Sequence, residues 1–327
     1  MAAAKHLIAL LKSHIAGDDD RFLSVAMQAA AHEARNGHEQ VAQQLRALVD
    51  HARRGKRHDS QHLAPIDRGN GSLAALVSAT FPETRLASMA LADDLKRRLE
   101  RVLAEQNQRH KLAERGLQPR RKLLFVGPPG SGKTMAAGAI AGGLGTPLFT
   151  VRFDALITRF MGETASRLRI IFDAISETRG VYFFDEFDAI GSRRADRNDV
   201  GEIRRVLNSL LQFLEADDSD SLIIAATNHV ELLDPALFRR FDDVIQYELP
   251  NEDVALEIFQ SRLAGLDFRG IDWPIAVELS GGLSQAEISR AADEAAKRVI
   301  LSNRQNVTNE DLVIAIQERQ LSGYRQG

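Results

Sequence analysis

Residues 122–134 read Lys122-Leu-Leu-Phe-Val126-Gly127-Pro128-Pro129-Gly130-Ser131-Gly132-Lys133-Thr134, and an alanine-rich helix-length segment follows. An apolar run fit for a buried strand therefore feeds a glycine-rich loop that opens a helix. The residue types make a phosphate cradle. Glycines let backbone N–H groups curl around an anion without a Cβ in the way. The helix start adds partial positive charge. Lys133 supplies a point charge for β- and γ-phosphates, and the Thr134 hydroxyl a ligand for Mg²⁺. A match to G-x4-G-K-[ST] arises by chance in roughly 1% of chains this long, and the strand and helix around it lower that further. The candidate nucleotide-binding set is Gly127 to Thr134 together with Met135 and Asp185.

Four more short apolar runs, Pro147–Arg152, Val181–Phe184, Ser221–Ala226 and Asp243–Glu248, are separated by helix-length segments. That alternation predicts an open, parallel α/β sheet. After Pro250 only helical patterning remains, which predicts an all-helical unit. Ligands of such sheets sit at the carboxyl ends of strands. There Val181-Tyr-Phe-Phe184 ends in Asp185 and Glu186, and Ser221–Thr227 ends in Asn228. Asp185 is placed to hold Mg²⁺ through water, and Glu186 to orient the attacking water. Asn228 is expected beside Glu186, bonded to the γ-phosphate or the water. Read alone, Asp185-Glu186 fits a helix cap equally well and Asn228 a turn; the phosphate loop tips both towards function.

Taken together, GPPGSGKT, FFDEFDAIG and AATNHVELLDPALFRRFD resemble the core of AAA+ ATPases, most of all the protein-remodelling branch that includes katanin, spastin and FtsH-type proteases. The resemblance covers about 76–320. It implies a P-loop NTPase large domain with a five-stranded parallel sheet, a helical lid, bound ATP or ADP with Mg²⁺, and a homo-oligomeric ring, usually a hexamer. It also implies an arginine-finger segment at Asp234–Asp242, where Arg239 and Arg240 are adjacent instead of separated by Pro-Gly; either could be the finger. Phe160-Met161-Gly162-Glu163 is similar to the loop that lines the pore of protein-threading relatives, although a core position is the ordinary fate of a phenylalanine. A second pore loop would lie at Asp188–Arg197. The lid helix start, usually Gly-x-Ser-Gly-Ala-Asp, reads here with Gln285 for the glycine and Glu287 for the aspartate. No arginine stands where other branches place a second sensor.

The remaining sequence sets the context. The expected domains are a helical N-terminal bundle (1–54), a linker (55–75), the large ATPase domain (76–250) and the lid (251–327). The 327 residues carry net charge −3 and no cysteine; no global basic field points to nucleic acid, and disulfides are excluded, which fits a reducing cytoplasm. No apolar run is long enough to span a bilayer. The amphipathic start reads as a domain helix rather than a signal peptide. A basic cluster at His51–His58 leaves a nucleic-acid loading switch as a remote reading, since it is short and without aromatics. His32-Glu33…His38 has the wrong spacing for a zinc protease and Gly37 inside it, so if proteolysis is involved a separate subunit is expected to carry it out. Two functional readings stand in front: a ring that remodels, unfolds or threads a protein client, and a nucleotide-dependent regulator of one dedicated partner. The second follows a weaker resemblance, to compact bacterial AAA+ proteins encoded beside a subtilisin-like serine protease in toxin–antitoxin-like or phage-defence modules.

Overall fold

A computed structural model of the chain describes residues 71–152, 156, 163–187 and 200–323. All of them fall within one compact unit, 70–327. The N-terminal bundle, most of the linker, the Phe160-Met161-Gly162 loop and the 188–197 loop lie outside the described residues.

In chain order the elements are α1 (Gly71–Leu76), β1 (Val77–Thr80), α2 (Asp93–Asn107), α3 (Arg109–Ala113), β2 (Lys122–Val126), α4 (Lys133–Leu144), β3 (Leu148–Val151), α5 (Glu163–Glu177), β4 (Val181–Phe184), α6 (Val200–Ala216), β5 (Leu222–Thr227), the single turn α7 (Pro235–Phe238), β6 (Asp243–Gln246), α8 (Glu252–Leu263), α9 (Trp273–Leu279), α10 (Gln285–Leu301) and α11 (Asn309–Gly323). All five expected strands are present and parallel to their neighbours, in the order β3-β4-β5-β2-β6. The sheet gains a sixth, β1, antiparallel on the β3 edge. Of β1 only Val77 is buried, so its sequence carries no apolar run to betray a strand. Helix α1 begins inside the tail of the segment read as linker.

The central strands are buried on both faces, as parallel strands covered by helices must be: every residue of β4 and β5 is buried. One face packs α2 and α4 against Leu123, Phe125, Phe183 and Ile224. On α4 small residues are a steric need. A Cβ on Gly142 would lie 2.3 Å from the Thr84 carbonyl oxygen, because the 82–84 segment crosses the helix there. On the other face Phe172 of α5 stacks on Phe213 of α6 at 5.2 Å and lies 6.3 Å from Phe184. Helices α8–α11 form a second hydrophobic cluster around Phe259, Ile288, Val299 and Leu312. Among the described residues no helix is long and apolar enough to cross a membrane.

Candidate nucleotide site

Strand register assembles the site. Val126 pairs with Thr227 and Phe184 with Ala225. Gly127, Asn228 and the Asp185-Glu186 pair therefore leave the sheet at the same carboxyl edge. The Gly127 N–H donates to the Thr227 carbonyl at 3.2 Å, so the loop peels off only after that bond. Tyr247, just beyond β6, closes the space beneath: a Cβ on Gly127 would fall 2.3 Å from the Tyr247 carbonyl oxygen. Gly127, Gly130 and Gly132 adopt φ of 154°, 75° and 91°, which L side chains rarely take.

Lys133 opens α4 and is only 6% exposed. A buried ammonium requires acceptors, and Lys133 donates to the carbonyls of Gly127 (2.7 Å) and Pro128 (2.8 Å) and to Asn228 Oδ1 (2.8 Å). Thr134 Oγ1 donates to Asp185 Oδ2 at 2.9 Å, and Asp185 Oδ1 accepts from the Glu186 backbone N–H at 2.9 Å. Glu186 has φ 51°. A β-strand that ends in a left-handed, non-glycine carboxylate stores strain of the kind found at functional sites.

The lid meets this edge directly. Ser284 caps α10 in a reciprocal box with Glu287, whose carboxylate accepts from the Ser284 N–H at 2.8 Å. That accounts physically for glutamate at this position. The Ala286 N–H donates to the Gly130 carbonyl at 3.0 Å, bonding the lid helix to the loop. Between them is a cavity of about 570 Å³ lined by Pro129, Gly130, Gly132, Lys133, Thr134, Met135, Asp185, Glu186 and Asn228 on the sheet side, by Ser88–Ala90 at one flank, and by Ile258, Ser261, Arg262, Gln285, Ala286, Ser289, Arg290 and Asp293 from the lid. Its size suits a nucleotide-sized ligand.

Most of the expected site residues thus converge. Gly127, Pro128 and Ser131 do not line the cavity; they build the turn behind it, and two of their carbonyls hold Lys133. Asn228 shares the cavity with Glu186, and its oxygen is engaged by Lys133. Arg239 and Arg240 do not line it either. Arg240 forms an ion pair with Glu215 of α6, whereas Arg239 is exposed and has no ion-pair partner among the described residues. Sequence reasoning named Gln285 and Glu287 at the start of the lid helix but missed the rest of the lid wall. Gln285, Ser289, Arg290 and Asp293 recur at helical spacing, which marks one face, but their mixed polarity gives no apolar stripe to notice. Arg262 approaches Asp293 at 3.8 Å across that wall.

The chemistry of these groups fits a nucleoside triphosphate with Mg²⁺. The glycine cradle would be filled by any Cβ, and the adjoining Thr134 hydroxyl and Asp185 carboxylate are hard oxygen donors. Thr134 and Asp185 are the residues that would hold such a cation, with oxygens of the bound phosphates as further ligands.

Comparison with known proteins follows the same line. Residues 123–249 match the model of the ATPase family associated with various cellular activities (AAA). The chain is 33% identical over 324 residues to an uncharacterized AAA family ATPase of Sinorhizobium fredii, covering 97% of this chain and 96% of that protein. It is 37% identical over 211 residues to the proteasome-activating nucleotidase of Thermococcus onnurineus, 62% of this chain and 53% of that one. It is 32% identical over 265 residues to the ATP-dependent zinc metalloprotease FtsH of Helicobacter felis, 78% of this chain and 41% of that one. The chain thus spans about half or less of the two longer relatives.

Proposed function

This chain belongs to the AAA family of ATPases and is an ATP-hydrolysing enzyme, and on that footing we propose that its subunits close a ring that uses hydrolysis to act mechanically on another protein. The observation that carries this reading is the lid helix bonded to the phosphate loop across the cavity, through Ala286 and Gly130. A change in the phosphates then has a direct route into the angle between lid and sheet.

In this reading Lys133 and the loop amides bind the β- and γ-phosphates. Thr134 and Asp185 would hold Mg²⁺, which when bound would supply charge neutralisation at the phosphates. Glu186 orients and polarises the attacking water, and Asn228 fixes Lys133 at the phosphate end. Arg239 reaches the neighbouring subunit's site, where an arginine supplied in trans stabilises charge building on the γ-phosphate. The expected division of labour is recruitment by residues 1–54, hydrolysis by 76–250, lid motion by 251–327, and grip on the client by Phe160, Met161 and Gly162 in a central pore. Relatives named for proteasome activation and for ATP-dependent proteolysis support a protein client.

The test uses Glu186→Gln. ATP binding should persist while turnover falls by about 10²–10³-fold, the scale of losing one transition-state group. Turnover at the wild-type rate would remove Glu186 from its role. The same variant, used as a trap in the native host, separates two outcomes. A single stoichiometric protein, such as a serine protease, makes the ring a dedicated regulator. A spread of substoichiometric proteins makes it a general remodelling motor.

A further inference from the structure

One of the lid residues that meet the phosphate loop is not supplied by the family pattern. Gln285 stands where that pattern carries glycine, and its side chain leans over the last glycine of the loop. Its Oε1 is 2.8 Å, and its Cδ 3.9 Å, from where a Cβ on Gly132 would sit. The amide is half-buried on the cavity wall and has no hydrogen-bond partner among the described residues. Its backbone is fixed. Ser284 Oγ lies against Gly130, the Ser284–Glu287 box locks the first turn of α10, and the Ala286 N–H holds the Gly130 carbonyl.

A half-buried amide with unmet donors, held over a phosphate cradle, is suited to an anionic oxygen. We propose that Gln285 is a lid-borne nucleotide contact: a half-turn of its terminal amide exchanges Oε1 for Nε2 at the loop, and Nε2 then donates to a phosphate oxygen of the nucleotide seated there. This rests on the nucleotide-site reading above. It adds a second tie between lid and loop, one that exists only when phosphate is bound. Nucleotide loading is therefore read by the lid at residue 285 directly, alongside the Ala286–Gly130 bond.

The experiment is calorimetric titration of the full chain with ADP, for wild type, Gln285→Ala and the isosteric Gln285→Glu, with melting curves to show that each variant is folded. Gln285→Ala should bind ADP about ten- to hundredfold more weakly, the range for one hydrogen bond to a charged group. Gln285→Glu should be weaker still, and its penalty should grow as salt is lowered, because a carboxylate facing phosphate is repelled and screening relieves it. A merely structural role would not produce that salt dependence. ADP affinities within twofold of wild type for both variants, beside tight wild-type binding, would overturn the assignment alone. If wild type bound no ADP, or Lys133→Ala bound it equally well, the nucleotide-site reading beneath it would fall as well.

Discussion

The Lys133 ammonium donates to Asn228 Oδ1 at 2.8 Å, which joins the helix that follows β2 to the end of β5. The bond adds a side-chain acceptor from β5 to the two loop carbonyls that hold the same ammonium. Asn228→Ala should therefore lower kcat by about a hundredfold, with a smaller change in KM, as expected when a preorganised polar contact near the reacting phosphate is lost. Steady-state ATP hydrolysis checks this; a change confined to KM would limit Asn228 to ground-state binding.

The two adjacent arginines should behave differently. Arg240 is tied to Glu215 within its own chain, whereas Arg239 is exposed and has no such partner among the described residues. Arg239→Ala should cost about 10³-fold in kcat, as for fingers supplied in trans, with an unchanged melting temperature. Arg240→Ala should act first on stability, and Glu215→Ala should resemble Arg240→Ala and not Arg239→Ala. Equal catalytic losses from all three would contradict this division.

Acid should loosen the lid before the sheet. Asp311 caps α11 with Thr308 and accepts two hydrogen bonds from Arg304, which holds its carboxyl down at about 2, below the ordinary 3.8. A carboxylate with a depressed folded-state value contributes stability above its unfolded value and loses it as pH falls towards its folded one. That contribution should disappear between about pH 4 and pH 2, and Asp311→Asn should be less stable at neutral pH but lose less on acidification. Thermal melts of both proteins across that range test the sign.

One buried group should be dispensable. The Tyr247 ring packs on Phe125 at 5.2 Å and is 1% exposed, yet its hydroxyl has no hydrogen-bond partner among the described residues; burial drives its ionisation far upward. Tyr247→Phe removes an unsatisfied polar atom and keeps the packing, so it should stabilise the protein by about 1 kcal/mol. Chemical denaturation measures it, and a loss of that size would reveal a partner for the hydroxyl.

The legible parts of this fold are those where chemistry dictates residue type at fixed spacing. The phosphate loop needs glycines, Lys133 and Thr134 in one order, and buried parallel strands need unbroken apolar runs, so both could be read directly. Strand β1 escaped because three of its four residues are exposed. Beyond Gln285 the lid wall escaped because that helix surface continues through Ser289, Arg290 and Asp293, types that also populate solvated faces. Arg239 and Arg240 could be separated only in three dimensions: their difference lies in Glu215, which is 25 residues upstream of Arg240 in the sequence.

In the proposed ring each subunit's site is completed by its neighbour, and mixing two inactive variants measures that dependence. Glu186→Gln subunits keep the finger but cannot activate water. Arg239→Ala subunits keep Glu186 but lack the finger. Each should be nearly inactive alone. Co-assembled at equal amounts, random neighbours in a closed ring should restore up to about a quarter of wild-type ATP hydrolysis, since one pairing in four unites both intact groups. Activity of the mixture that never exceeds the sum of the separate variants, with co-assembly confirmed, would contradict a shared site and the ring built on it.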